Sequence, residues 1–379
     1  MNRQGEYKSN LDGEMAYKSF CPNPLPPSPT LNFDESFNAL LVKASNAIAK
    51  LDAISTRLPN VPLFVSQYVR KEALLSSQIE GTQATLDDIL DPNIEENKNQ
   101  NVSEVLNYIK ATDYADERLE TLPLCNRLLL ETHEVLMQYV RGSEKNPGEF
   151  RRSQNWIGSQ GSSLKTARYI PPNLEDMKNA LSDLEKYINA TDTTDPLIKI
   201  ALIHYQFETI HPFLDGNGRI GRLMVNLYLK ENRLLSLPTL YISYFLKRNR
   251  IEYYDRLTEV REKGNYEQWV KFFLQGLYES AEDSIESIDG LSELHDRNYM
   301  LVLENDTTTK SVSRVFEYLE EKPIIDIKRT ASELKLAYNT VSNIIRKLES
   351  IGILKQVGNS QRGRTFAYEA YLSILRKDT

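Results

Sequence analysis

The residues best equipped for chemistry stand in one run, His211-Pro212-Phe213-Leu214-Asp215-Gly216-Asn217-Gly218-Arg219-Ile220-Gly221-Arg222. His211 carries the one side chain of the run that titrates near neutrality, so it can take a proton from an attacking hydroxyl. Asp215 is a hard oxygen ligand suited to Mg²⁺ bridging two phosphates. Gly216 and Gly218 flank Asn217, and such residues accept left-handed backbone angles, so successive N–H groups can converge on an anion. A helix beginning at Arg219 would aim its free N–H groups at the same anion. Arg219 and Arg222, a turn apart, would face one side and grip phosphate oxygens. Base, metal ligand, amide nest and two cations together describe a phosphate-transfer site.

The neighbouring elements must place this run. An apolar repeat predicts a helix from about Pro196 to Ile210, which Pro212 stops, and a second helix from Arg219 to about Lys230. From about Glu35 to Ile288 the apolar residues return every three or four positions, the mark of packed helices. The exception is Phe150 to Gly158 with Lys165 to Ile170, which alternates across a glycine- and serine-rich break and reads as a β-hairpin between helices. A helix from about Pro62 ends at Ser76-Ser77-Gln78-Ile79-Glu80-Gly81, with Gly81 as its cap and Ser76 and Glu80 on one face.

At the ends the chain changes character. Residues 1–35 finish in a proline cluster from Pro22 to Pro29 and read as an extended arm lying over the main body, or else as a disordered tail. Residues 311–379 carry 12 Lys+Arg against 8 Asp+Glu, so the tail is net +4 and the remainder −11. Within the tail, Thr330–Leu334 and Asn339–Leu348 read as a helix-turn-helix. Gly352–Leu354 and Thr365–Tyr368 read as two short strands around a basic loop from Gly358 to Arg364. Asn339, Thr340, Ser342, Asn343 and Arg346 could meet a major groove, with Arg362 and Arg364 on phosphates; a scaffold role is the alternative. His133, His204 and His295 have no acidic or cysteine cluster around them and read as structural or surface residues.

Bulk properties set limits. The 379 residues carry a net charge of −7, which argues against a chain that coats nucleic acid along its whole length. Two unpatterned cysteines, Cys21 and Cys125, fit a reducing compartment. No secretory leader and no apolar run long enough to span a bilayer is visible, so the expectation is a cytoplasmic protein without a membrane partner.

The run from His211 to Arg222 resembles the Fic-family signature HPFxDGNGRxxR at every fixed position, and residues 36–289 look like the rest of a Fic protein. The resemblance implies an all-α Fic core with a small β-hairpin flap, followed by a C-terminal winged helix-turn-helix domain. The expected division is an arm at 1–35, a helical region with an inhibitory helix at 36–110, the core at 111–289 and the winged unit at 290–379. It further implies transfer of AMP from ATP, with Mg²⁺, to a Tyr, Thr or Ser hydroxyl of a target protein. His211 would be the base, Phe213 the loop anchor and Asp215 the metal ligand. Gly216, Asn217, Gly218, Arg219 and Arg222 would hold the phosphates. Tyr253 or Tyr254 would cover the nucleobase, and the flap, with Trp156, Ile157 and Gly158, would hold the target by strand addition. Ser76-x-x-x-Glu80-Gly81 resembles the family's inhibitory motif, which implies that Glu80 pairs with Arg222 and misaligns ATP. Self-modification and a homodimer are further implications. Alternatives are a DNA-binding regulator with a modulatory Fic domain, or a two-way enzyme that also removes AMP.

Overall fold

The computed structural model describes residues 2–56, 61–92, 99–159, 161–304, 310–358 and 364–377, without the side chains of residues 61–63. The N-terminal arm does lie on the main body, but residues 5–22 are not merely extended. Strands β1 (Gly5–Asn10) and β2 (Tyr17–Pro22) pair antiparallel, with Gly5 opposite Pro22 and Asn10 opposite Tyr17. The hairpin is anchored by Phe20, which is buried.

Helices follow from there: α1 (Glu35–Ser55), α2 (Val61–Ile79), α3 (Leu86–Leu90), α4 (Gln100–Arg118), α5 (Asn126–Leu136), α6 (Leu174–Asn189) and α7 (Pro196–Ile210). Next come α8 (Asn217–Glu231), α9 (Ser243–Arg248), α10 (Arg250–Lys263) and α11 (Tyr266–Glu304). Helix α7 is the centre of the body. Every residue from Leu197 to Ile210 is buried, as expected of a helix apolar on all sides, and α6, α8 and α11 surround it. Trp269 of α11 fixes one contact by donating its indole N–H to the Ala201 carbonyl at 2.7 Å.

The expected break at residue 289 is absent. Helix α11 runs 39 residues through it, and Leu291, Leu294 and Val302 beyond the expected boundary are buried. No proline interrupts that stretch, and one apolar face serves both the body and the C-terminal unit. The expected boundary at 110 likewise falls inside α4. After α11 come α12 (Lys310–Glu321), β3 (Ile324–Asp326), α13 (Ile327–Glu333), α14 (Tyr338–Ser350), β4 (Lys355–Val357), β5 (Thr365–Ala367) and α15 (Glu369–Leu375). The three strands form an antiparallel sheet in the order β3-β5-β4. The first expected strand lies three residues later than Gly352–Leu354, because Gly352 turns the chain with φ +79°. Arg362 lies outside the described residues. Among the described residues no helix is long and apolar enough to cross a membrane.

Candidate active site

The loop after α7 is shaped by its own sequence. His211 caps α7 in the left-handed region (φ 49°, ψ 61°), and Pro212 prevents a further turn. That strained position is held from outside: Arg151 Nε and Asn155 Nδ2 each donate to the His211 carbonyl at 3.1 Å. The Phe213 ring is fully buried and stacks on His133, centroids 3.8 Å apart. Gly216 takes φ 77°, and α8 starts at Asn217, two residues before the expected Arg219. The Asn217 side chain accepts from the Phe213 N–H and donates to the Phe213 carbonyl, both at 2.8 Å. Its side chain therefore closes the loop, leaving its backbone N–H as the group that can face an anion.

His211, Gly218 and Arg222 line one cavity of about 730 Å³, together with Glu80, Tyr254 and the segment Trp156–Ser159. Desolvation pushes the His211 imidazole down to about 4, although the Glu80 carboxylate pulls it upward. The ring is thus neutral at neutral pH and able to accept a proton. Its Nδ1 is buried, and the Glu208 backbone beside the ring works, like Glu80, against the desolvation.

Glu80 lies in this cavity beside Gly218 and Arg222. Helix α2 ends in a Schellman turn, with Gly81 N–H on the Gln78 carbonyl, Thr82 N–H on the Ser77 carbonyl and Gly81 at φ 100°. That turn presents Glu80 to Arg222, whose Nη2 donates to Oε1 at 2.7 Å. Arg222 Nε also donates to Ser76 Oγ at 2.8 Å, and Nη2 to the Ser76 carbonyl at 3.0 Å. A Cβ at Gly218 would lie 2.2 Å from Glu80 Oε1, so only glycine lets the carboxylate rest against the start of α8. Partial desolvation works to raise the Glu80 carboxyl, but the Arg222 charge, with Arg219 and His211 behind it, outweighs this and holds it below the usual range.

Arg219 and Arg222 do not face one side. Arg222 turns to α2, whereas Arg219 lies against the end of α5, its Nη2 3.4 Å from both Met137 Sδ and Asp215 Oδ1. Three residues advance a helix by roughly 300°, which leaves neighbours three apart about 60° out of line. Arg219 Nε and Nη1 are buried and without hydrogen-bond partners among the described residues. Asp215 meets Lys145 Nζ at 2.8 Å and its own next amide, Gly216 N–H, at 2.7 Å. Partial burial tends to raise the Asp215 carboxyl, but Lys145 and Arg219 outweigh it and hold it low.

The two tyrosines separate. Tyr253 is 1% exposed, and its hydroxyl meets His204 Nε2 at 3.0 Å. The other nitrogen, His204 Nδ1, donates to the Gly221 carbonyl at 3.0 Å, so Nε2 is the acceptor for the tyrosine O–H. That pair ties α7, α8 and α10 inside the core. Both tyrosines border the cavity, but Tyr254 is the half-buried one, with the Arg250 guanidinium 5.9 Å from its ring centre.

The expected flap hairpin shrinks to a single antiparallel bridge, Ile157 with Tyr169, N···O 2.8 and 3.0 Å. Gly161 at φ 83° and the Pro171-Pro172 pair end pairing on either side. The second limb is firmly held. Tyr169 donates its hydroxyl to the Thr209 carbonyl at 2.6 Å, and Arg261 lies 4.0 Å over its ring. The N-terminal hairpin braces it as well, Phe20 N–H donating to the Ile170 carbonyl at 3.0 Å. Trp156 and Gly158 are exposed at the rim.

Arg151, Asn155, Lys145 and His133 were not singled out by sequence reasoning for this site. They come from segments about 55 to 80 residues away, with no local pattern to betray them. In the C-terminal unit, Asn339, Thr340, Asn343 and Arg346 lie exposed on α14, but Ser342 is buried and unavailable to a groove.

Comparison with known proteins matches residues 38–117 to the Fic/DOC family N-terminal model and residues 123–229 to the Fic/DOC family model. Residues 38–117 and 123–229 are thus Fic/DOC family domains. The Fic-domain region is 32% identical over 180 residues to the protein adenylyltransferase Fic of Culex quinquefasciatus, covering 47% of this chain and 32% of that protein. It is 31% identical over 173 residues to the Drosophila erecta counterpart, covering 45% and 31%. The aligned Fic region thus spans about a third of the length of these curated relatives. A crystal structure of a Fic family protein from Desulfovibrio desulfuricans G20 shares the fold with a TM-score of 0.56 at 19% identity, covering 89% of this chain and 97% of that one.

Proposed function

We propose that this Fic-domain protein transfers AMP from ATP to a Tyr, Thr or Ser hydroxyl of a protein, itself included, and that Glu80 restrains it. The observation that carries the reading is one cavity that holds a neutral imidazole, His211, beside the glycine-lined start of a helix and a buried arginine, Arg222. In the transfer, His211 removes the proton of the target hydroxyl as its oxygen attacks the α-phosphorus, and pyrophosphate leaves. The amides of residues 216–218 and the N-terminus of α8 take up phosphate oxygens. Asp215 would hold Mg²⁺ once Lys145 gives way; a single carboxylate suits an ion that keeps waters and phosphates as its other ligands. The ion would supply charge neutralisation on those phosphates. Tyr254, rather than Tyr253, would cover the base.

Glu80 opposes this by holding Arg222, which cannot then grip a terminal phosphate, and by placing a carboxylate over Gly218. ATP that enters would sit displaced, and about 1 Å of displacement is worth roughly a hundredfold in rate. The test incubates wild type, Glu80→Gly and Glu80→Gly/His211→Ala with Mg²⁺ and each nucleoside triphosphate, then reads intact mass. Gain of one or more AMP in Glu80→Gly alone, and only from ATP, is expected. Equal incorporation in wild type would remove the brake; incorporation in the double variant would remove the base.

We also read residues 310–379 as a winged helix-turn-helix, because α13, a tight turn and α14 precede a paired β4 and β5. Its exposed Asn339, Thr340, Asn343 and Arg346 are the side chains that would meet a duplex, a reading tested by duplex binding across salt.

A further inference from the structure

We propose that His133, on α5, is the positioning residue of the phosphate-binding loop. Its Nε2–H holds the Asp215 carbonyl and so turns the next amide, Gly216 N–H, toward the phosphate side. This rests on the adenylyl-transfer reading above.

The tautomer follows from geometry. The Gly148 backbone N–H lies 3.0 Å from His133 Nδ1, and a backbone N–H can only donate, so Nδ1 bears no proton. The ring proton is then on Nε2, 3.1 Å from the Asp215 carbonyl oxygen. His133 is 1% exposed, so solvent does not compete for either ring nitrogen.

The consequence for the loop is a matter of one peptide plane. In a trans peptide the carbonyl oxygen and the following N–H point in opposite directions. With the Asp215 carbonyl drawn to His133, the Gly216 N–H emerges on the other side. It points there at Asp215 Oδ1, the oxygen that also meets Arg219. That is where an anion held by Arg219 and the start of α8 would lie. The ring does more than donate. It stacks on Phe213 with an interplanar angle of 6°, and a Cβ at Gly216 would meet its Cδ2 and Nε2 at 3.4 Å. One residue thus touches the loop's anchor, its turning glycine and its metal-side carbonyl, and is itself fixed by Gly148.

A packing role alone would need only a flat ring, and that separates the two possibilities. In the Glu80→Gly background, His133→Phe keeps a ring for the stack and loses both hydrogen bonds. His133→Gln returns an amide N–H that can reach the Asp215 carbonyl. The readouts are KM for ATP against kcat in self-modification, and amide hydrogen exchange at residues 216–218. With His133→Phe, we expect KM for ATP to rise about tenfold or more, kcat to fall less, and exchange at Gly216 to accelerate while the interior of α8 stays protected. His133→Gln should recover most of the KM and the protection. A His133→Phe protein with KM within twofold of its parent and unchanged exchange overturns the assignment, as does a Gln variant no better than Phe. If the Glu80→Gly parent itself transfers no AMP, the adenylyl-transfer reading fails instead, and the exchange comparison still decides what His133 does for the loop.

Discussion

His211, His204 and His133 share one physical condition, burial beside groups that accept or donate without needing a charge. Desolvation takes them to about 4, 3 and 4. His295, the fourth histidine of the chain, goes the other way, because the Glu320 carboxylate 2.7 Å from its Nδ1 favours the charged ring. A lowered value means the ring stays neutral until the pH falls well below 6.5; a raised value means it charges above that point. Ring resonances followed by NMR from pH 8 to 5 should therefore show His295 titrating above 6.5 and the other three unmoved. A ring assigned to His211 that titrates near 6.5 would contradict the desolvated base. The same cavity sets the opposing charge: Glu80 is fixed by Arg222, and the absence of a side chain at Gly218 lets it lie there.

The loop between α7 and α8 is short, His211 to Gly216, and buries Pro212 and Phe213. Its conformation depends on hydrogen bonds made by side chains elsewhere. Arg151 alone donates to the carbonyls of His211, Ser153 and Pro172. Asn217 closes the ring by serving both backbone groups of Phe213. Removing that amide leaves the buried Phe213 N–H unpaired, at a cost of about 1–3 kcal/mol, while Asn155 Nδ2 still donates to the Phe213 carbonyl at 2.9 Å. Asn217→Ala should accordingly lose roughly 1–3 kcal/mol of unfolding free energy in urea. A loss under about 0.5 kcal/mol would mean that the loop finds other partners, since surface changes lie in that range. The flap is an element of another kind. One bridge orients it, and its stiffness comes from Tyr169 and the N-terminal hairpin behind it.

At the scale of the whole molecule, α2 and α11 join the helical body to the C-terminal unit. Helix α2 carries a row of buried polar groups along its length. Gln67 donates to the Glu321 carbonyl at the end of α12, Lys71 lies 3.6 Å from Asp283 of α11, and Ser76 receives Arg222. From the far end, Lys377 reaches the same Asp283 at 3.3 Å. The C-terminal unit is thereby part of one continuous core rather than a tethered appendage. Its charge differs from the body's, net +4 against −11, which decides how it would meet a duplex. The acidic body repels phosphate, so binding through α14 should be weak and steep in salt. Retardation of a labelled duplex at low salt, lost by about 0.2 M and weakened by Arg346→Ala, is the expected outcome. Absence of any shift at low salt would leave the unit a scaffold for α11.

Residues acting on their immediate neighbours were legible in the sequence alone. Pro212 ends α7, Gly216 turns the chain, Gly81 closes α2, and four-residue spacing puts Ser76 and Glu80 on one face, because each effect is confined to a turn or two of backbone. The fate of a side chain on meeting another element was not legible. The sequence could not divide Arg219 from Arg222, bury Tyr253 while leaving Tyr254 half-exposed on the cavity wall, or bury Ser342. It could not bring His133, Lys145 and Arg151 to a loop 60 to 80 residues ahead. Those outcomes depend on which helix lies alongside, and packing decides that: α5 and α2 approach α8 from different sides, and each claims the arginine that faces it.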